Sequence, residues 1–408
     1  IVRAVGASDV IKVVNFARDN NIELAVKGGG HCFAGTGSVE GGLVLDTSRL
    51  QGIWVNPNNR RLVVQPGLKQ GDVDAETTSF GLAVTGSQES YIGIGGLTLG
   101  GGLGWLARYR GLLVDNLVSA DVVLANGELR RASSDDDADL FWAIRGGGGN
   151  FGVATRFEFD LYPQGDCIAG LLAFPIDQTV DVARRLDEFN QTAPDELTTS
   201  FAFLTAPNGE PAIGLGFVHA APDDSTEGLV GQMRSLGTGA LLDHCGEMPY
   251  VAVQRMLDEN TVAGHRYYPR SFLLPELRDE PLQILADGFV SAPSERTLVG
   301  GGLMGGVMSK VRPEETPFLH REGYLTSILT SWTDSAMDDE AVEWTEKVYA
   351  ELLPYTTGAV YANHLGADSA ERIHDAYGSN YERLTQLKAL YDPTNFFHTN
   401  NNIPPATA

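Results

Sequence analysis

Residues 83–104 read AVTGSQESYIGIGGLTLGGGLG, and eight of these 22 positions are glycine. So many glycines cost backbone entropy on folding. The stretch therefore reads as almost all loop and tight turn, bringing bare backbone close to a flat, phosphorylated ligand. Two further glycine loops flank it. The first, VKGGGHCFAGTG at 26–37, follows a short buried strand at 23–26. Its glycines free the backbone to turn sharply and present N–H groups to an anion such as pyrophosphate. It matches neither the GxGxxG dinucleotide fingerprint nor a P-loop. The second, GGGGNFG at 146–152, leads into an alternating strand at 153–161. In all, 27 of the 48 glycines lie in the first 152 residues, so the excess is local loop chemistry rather than low complexity.

The length, 408 residues, suggests two or three domains. Hydrophobic residues at 43% and charged residues at 20% place the chain among globular proteins. Acids outnumber bases 53 to 29, a formal charge of −24. That charge argues against nucleic-acid partners and anionic membranes, both of which need Lys and Arg facing phosphate. Acid excess with only six lysines fits a salt-adapted, halophilic surface, and equally an Arg-preferring, GC-rich genome. The longest charge-free stretch, 90–107, carries seven glycines and would make a poor membrane helix. Cys32, Cys167 and Cys245 form no CxxC, so neither a disulfide framework nor a zinc site is expected, and cytoplasmic reduced thiols are the default. The chain begins at Ile1 with no signal-like segment, so a missing N-terminal piece is expected and secretion stays open.

The first part alternates short strands and helices: strands at 42–46, 53–55, 61–64 and 117–124, a helix at 71–81, and a hairpin turn at Asn126-Gly127. The acidic run 133–139 reads as a helix start with N-terminal charge. Composition shifts near 163–166. Beyond it, strands at 168–174, 200–204, 212–219, 298–304 and 324–332 alternate with helices at 179–191, 225–236, 281–289 and 338–353. This reads as antiparallel sheet covered by helices, an α+β arrangement. The tail forms one helix from 370 up to Tyr391-Asp392-Pro393.

Taken together, KGGGH, TGSQESYIGIGGLTLGGGLGW, GLLVDN, DLFWAIRGGGGNFGVAT and YDPTNFF resemble the berberine-bridge-enzyme-like flavin oxidases. These belong to the p-cresol methylhydroxylase/vanillyl-alcohol oxidase superfamily. The bacterial 6-hydroxy-nicotine and sugar-oxidising branches look nearest. The likeness covers most of 1–160 and about the last 50 residues; 165–360 match in pattern only. It implies a two-domain α+β fold. An FAD-binding domain at 1–163 is completed by 363–408, with a substrate domain of antiparallel sheet and helices at 164–362. It implies that His31, on its own residues either ligand, nucleophile or structural, bonds covalently to the FAD. Gly28, Gly29, Gly30 and Cys32 would cradle the phosphates. Gly86, Ser87, Gly93, Gly95 and Gly96 would line the isoalloxazine and ribityl. Asn116, Gly152 and Val153 would fall near the adenine, with Asn400 and Asn402 closing from the tail. Ile92 sits where a small branched side chain is compatible with O2 reaching the flavin.

Three departures from the family pattern matter. A second attachment cysteine falls at Glu89, so attachment through His31 alone is expected. A flavin-side histidine falls at Leu97. A Tyr-x-Asn-Tyr run whose last tyrosine serves as base here reads Tyr361-Ala-Asn-His364. Histidine, with a pKa near 6.5, is a better base at neutral pH than tyrosine near 10. His364 is therefore the candidate base, with Tyr361 as a hydrogen-bonding partner; packing alone is the alternative for His364. The expected activity is an FAD-dependent oxidase acting on a small-molecule alcohol, sugar hydroxyl or amine, with O2 as acceptor. A dehydrogenase using another acceptor and a catalytically degenerate flavin-binding protein are the competing readings. No metal-ligand spacing is visible.

Overall fold

A computed structural model describes residues 1–261, 263–366 and 368–407. The N-terminal part holds two main sheets. Val2–Arg3, Leu43–Asp46 and Leu24–Lys27 pair in parallel, and a five-stranded antiparallel sheet runs in the order Ile53–Asn56, Arg61–Val64, Val153–Asp160, Leu117–Val123, Leu129–Ser133. Along Val153–Asp160, Phe157 and Phe159 are fully buried while Arg156 and Glu158 reach the surface side, the period-two signature of a strand with one covered face.

The middle of the chain forms a seven-stranded antiparallel sheet in the order Leu242–Met248, Cys167–Pro175, Pro211–His219, Leu197–Thr205, Leu298–Leu303, Tyr324–Trp332, Arg266–Leu274. Helices Thr179–Asn190, Asp279–Val290 and Asp338–Leu352 cover one face. Val182, Leu186 and Phe189 repeat at helical spacing and meet Leu172, Phe201 and Phe272 of the sheet in one core. The other face of the sheet looks toward the glycine loops.

The chain after residue 359 returns to the N-terminal part. Val360, Leu365, Leu384 and Ile403 share a core with Val64, Phe157 and Phe159.

Four local expectations are corrected. Residues 83–104 are not all loop: Ile94–Gly100 is a helix, formed because Ile94, Leu97 and Thr98 are buried against the core and outweigh the glycine cost. The strands Leu242–Met248 and Arg266–Leu274 were not foreseen. The acidic run splits, Ser133 ending a strand and Asp137 capping the helix Ala138–Ile144 by accepting from the Leu140 N–H at 3.4 Å. The tail helix is broken into Ser369–Tyr377 and Tyr381–Tyr391, with Gly378 at φ +45° in the turn between.

The tail is pinned by Lys388, which is fully buried. Its ammonium donates to Asp392 Oδ2 at 2.7 Å and to the carbonyls of Asn150 at 2.7 Å and Phe397 at 2.9 Å. Asp392 also accepts from the Phe396 and Phe397 N–H groups, each at 2.8 Å. Removing one partner of a buried pair leaves the other charge without compensation. Lys388→Met is expected to cost about 3–5 kcal/mol in urea unfolding; a cost below about 1 kcal/mol would show that the pair does not hold the tail.

Candidate active site

The glycine loops and the bare face of the seven-stranded sheet enclose one cavity of about 2150 Å³. A single small-molecule pocket measures roughly 300–1,000 Å³, so the space suits a cofactor and a second molecule together. On one side lie Gly28 to Cys32, Gly93, Gly95 and Gly96, Gly148 to Asn150, and Asn400 of the tail. On the other lie the central strands of the sheet, with Tyr361 and His364 beside them.

Close backbone packing builds the glycine side. A Cβ at Gly29 would stand 2.6 Å from the Gly93 nitrogen, and one at Gly93 would stand 2.5 Å from the Gly29 Cα. Only glycine at both positions lets the two loops touch. Gly96 differs: nothing lies within 4 Å of a Cβ placed there, so that space is open cavity. Among the described residues no hydrogen-bond acceptor meets the N–H groups of Gly28 to Cys32. The Asn400 Oδ1 is buried without a partner, while its Nδ2 donates to the Gly149 and Phe397 carbonyls. Unpaired amides facing a glycine-walled hollow fit a phosphate-bearing cofactor.

His31 stands in this cavity, its ring 5.2 Å from that of Tyr91. Burial and then the positive charge of Lys69 lower its pKa, against a hydrogen bond to the Tyr91 backbone that raises it, so the imidazole is favoured neutral. Tyr91 is tied to Thr261, and Ser90 donates to both oxygens of Asp258 through its N–H at 2.8 Å and its hydroxyl at 2.6 Å. Between them, burial and then the Asp258 charge push the Glu89 carboxyl up to about 7.

Across the cavity, the Tyr361 hydroxyl accepts from the Gly102 N–H at 3.2 Å and the Asn363 Nδ2 at 3.0 Å. Burial raises its pKa to about 12, so it stays a phenol. The His364 ring is 4.9 Å from the Tyr361 ring, and its Nδ1 is 3.5 Å from the Ser271 hydroxyl. Burial lowers the His364 pKa to about 4, which keeps the imidazole neutral at physiological pH.

Cys32, Ser87, Ile92, Gly95, Gly152 and Val153 also line the cavity. Three expected cofactor residues do not. Gly86 packs on the helix Gln70–Thr78, where a Cβ would fall 1.9 Å from Gln70 Oε1. The Asn116 amide is used locally, donating to the Arg110 and Leu112 carbonyls. Asn402 lies beside the cavity-lining Asn400 and Asn401 without lining the space itself. Sequence reasoning missed Lys69 and Ser271, which sit next to the key histidines only through tertiary packing. Among the described residues no group of three His, Cys, Asp or Glu could hold a metal, and no helix is long and apolar enough to cross a membrane.

A glycine-walled cavity closed by a helix-backed antiparallel sheet defines a flavin-binding protein of the p-cresol methylhydroxylase type. Residues 1–133 match the family model described as an FAD binding domain, and residues 360–404 the one described as berberine and berberine like. An FAD-linked oxidoreductase of Dictyostelium discoideum is 33% identical over 402 residues, covering 97% of this chain and 86% of that protein. The (R)-6-hydroxynicotine oxidase of Paenarthrobacter nicotinovorans is 31% identical over 420 residues, covering 99% and 91%. The solved 6-hydroxy-D-nicotine oxidase of Arthrobacter nicotinovorans superposes with a TM-score of 0.90 at 28% identity, covering 99% of this chain and 91% of that one. The chain belongs to the berberine-bridge-enzyme-like FAD-linked oxidoreductases and is an FAD-dependent enzyme.

Behind Ser87, Asp74 is fully buried and accepts from Gln70 Nε2 at 2.7 Å and Gln254 Nε2 at 3.1 Å. Gln254 also reaches the Ser87 carbonyl at 3.2 Å, so this cluster backs the cofactor loop. Burial raises the Asp74 pKa to about 7. The folded protein then holds a proton that the unfolded chain releases, and stability falls as pH rises from about 4 to about 7. Asp74→Asn is expected to melt higher than the parent at pH 8, with the difference shrinking toward pH 5. An equal difference at both pH values in thermal melts would contradict the shift.

Proposed function

We propose that the enzyme is an oxidase: it holds its FAD covalently through His31, takes hydride from a small-molecule alcohol, sugar hydroxyl or amine, and passes the electrons to O2 as hydrogen peroxide. The observation that carries this reading is the placement of His364, beside Tyr361 and Ser271, in the same cavity as His31 and the Gly93–Gly96 turn, where burial favours its neutral form. When bound, the flavin supplies the hydride acceptor; the protein's part is to place the substrate and move its proton.

For His364 to act as base, Nδ1–H must donate to the Ser271 hydroxyl, which leaves the Nε2 lone pair free for the substrate proton. Removing that proton as hydride leaves raises the electron push on the reacting carbon. The Tyr361 phenol accepts two hydrogen bonds and keeps its own proton available to a substrate oxygen or nitrogen. His31, favoured neutral by burial and by Lys69, has the lone pair that a bond to the flavin needs. Glu89, in place of a second attachment cysteine, supports a single linkage.

Two measurements test the reading. Acid precipitation of the purified enzyme is expected to give a yellow pellet, and His31→Ala to release the colour into the supernatant. Colour in the supernatant of the parent protein would refute the linkage. In anaerobic stopped flow, His364→Ala should slow flavin reduction by roughly 10²–10⁴-fold. The parent rate should climb through about pH 4 and stay level from pH 6 to 8, because the depressed His364 pKa places the acid limb there. An unchanged rate in His364→Ala would eliminate the base role.

A further inference from the structure

The cavity is long as well as large. Leu171, Gly216, Ala202, Gly300, Ser327 and Ser271 come from six neighbouring strands of the seven-stranded sheet, and all of them line it. Leu242 extends the lining to the seventh strand, at the edge. Six interstrand steps of about 4.8 Å span roughly 29 Å. His364 and Ser271 mark one end of this span.

Pairing sets the relief of the floor. Ala202, Gly300, Ser327 and Ser271 stand opposite one another across four strands, so the middle of the groove holds nothing larger than a hydroxymethyl. Beside them, Leu298, Leu329 and Pro269 form one aliphatic flank. On the other flank Ser200, Gly302 and Leu325 are opposite each other, and a Cβ added at Gly302 would meet nothing within 4 Å. The sheet leaves that volume unfilled, although its backbone would accept a side chain there.

The central strands of the groove carry no charge, the titratable His244 and His265 lying at its two edges. None of the cavity-lining residues on strands Leu197–Thr205, Pro211–His219, Leu298–Leu303 and Tyr324–Trp332 is ionisable. Lys69 and Arg108 are the lysine and arginine among the described lining residues. Lys69 lies on the His31 side, and Arg108 spends its donors on the carbonyls of Leu197 at 2.8 Å, Met304 at 2.7 Å and Pro194 at 3.4 Å. The acids Glu89, Asp258 and Glu259 reach the cavity from the loops around residues 87–91 and 257–261, not from the sheet. Polyhydroxylated ligands need many directed hydrogen bonds and ions need a partner charge; this floor supplies serine hydroxyls and aliphatic carbon.

We infer that the substrate is an elongated, uncharged, largely apolar alcohol that lies across the central strands with its hydroxyl end at His364, and that Gly302 and Ser327 set the bulk it can carry. The inference takes the cavity to be the substrate site of the oxidase proposed above. Its test reads binding rather than turnover, so the two fail separately. Tertiary alcohols have no hydride to give. Calorimetric titration of the flavin-loaded enzyme would compare 2-(biphenyl-4-yl)propan-2-ol with 2-phenylpropan-2-ol, and with biphenyl-4-carboxylate and 2-(biphenyl-4-yl)propan-2-amine. The biphenyl alcohol is expected to bind at least tenfold tighter than each of the other three. Gly302→Leu should abolish the advantage of the second ring while keeping the affinity for the phenyl alcohol, the flavin spectrum and the melting temperature. Ser327→Leu serves the same purpose should Gly302→Leu misfold. Equal affinity for the one-ring and two-ring alcohols, tighter binding of either charged analogue, or an undiminished second-ring advantage in both variants would overturn the inference.

Discussion

The buried ammonium of Lys388 joins three pieces of chain that are far apart in sequence. It is bonded to its own helix's end at Asp392, to the turn after the 146–149 glycines at the Asn150 carbonyl, and to the tail at the Phe397 carbonyl. A lysine enters a core only where every donor and the charge find partners, and here all three protons do. With that knot tied, Asn150 can bind onward: its side chain donates to the Gly147 and Asn401 carbonyls and accepts from the Ile403 N–H. Thr399 then lies parallel beside Ala25, on the strand that runs into the Gly28–His31 loop. The glycine wall of the cavity is thus assembled from both ends of the chain, and the ion pair acts together with these further contacts to join them.

That geometry explains what could be read in advance. Glycine loops announce themselves because a bare backbone next to a ligand has few substitutes, so the glycine-rich wall of the cavity was legible as loops that converge, whereas the buried role of Lys388 was not. The exceptions are instructive. Gly86 is glycine because a helix side chain, Gln70, crowds it, and Asn116 is polar because it ties a turn; neither reason differs in sequence from contact with a ligand. The two strands of the large sheet that escaped notice are its two edges. Leu242–Met248 carries Asp243, His244 and Glu247 with little burial, as an uncovered edge allows. Arg266–Leu274 contains Pro269, which an edge strand tolerates and a central one does not. The shape of the groove along the sheet was illegible for a different cause. Which small residues face each other depends on register across strands up to a hundred residues apart, and no single segment carries that information.

The charge of the protein poses a problem that the site resolves. A chain with a net charge of −24 has to receive a cofactor bearing two phosphates. Among side-chain cations, Arg108 is spent on carbonyls, while Lys69 stands beside His31 and the Lys27 chain packs on Gly30. The unpaired amides from Gly28 to Cys32 add fixed dipoles at the same loop. Fixed backbone dipoles attract an anion over a few ångströms without altering the net charge and without side-chain entropy to lose. The central strands of the sheet present no ionisable side chain to the cavity. An acidic exterior, a dipolar glycine wall and an uncharged central floor are therefore compatible: each uses a different source of field.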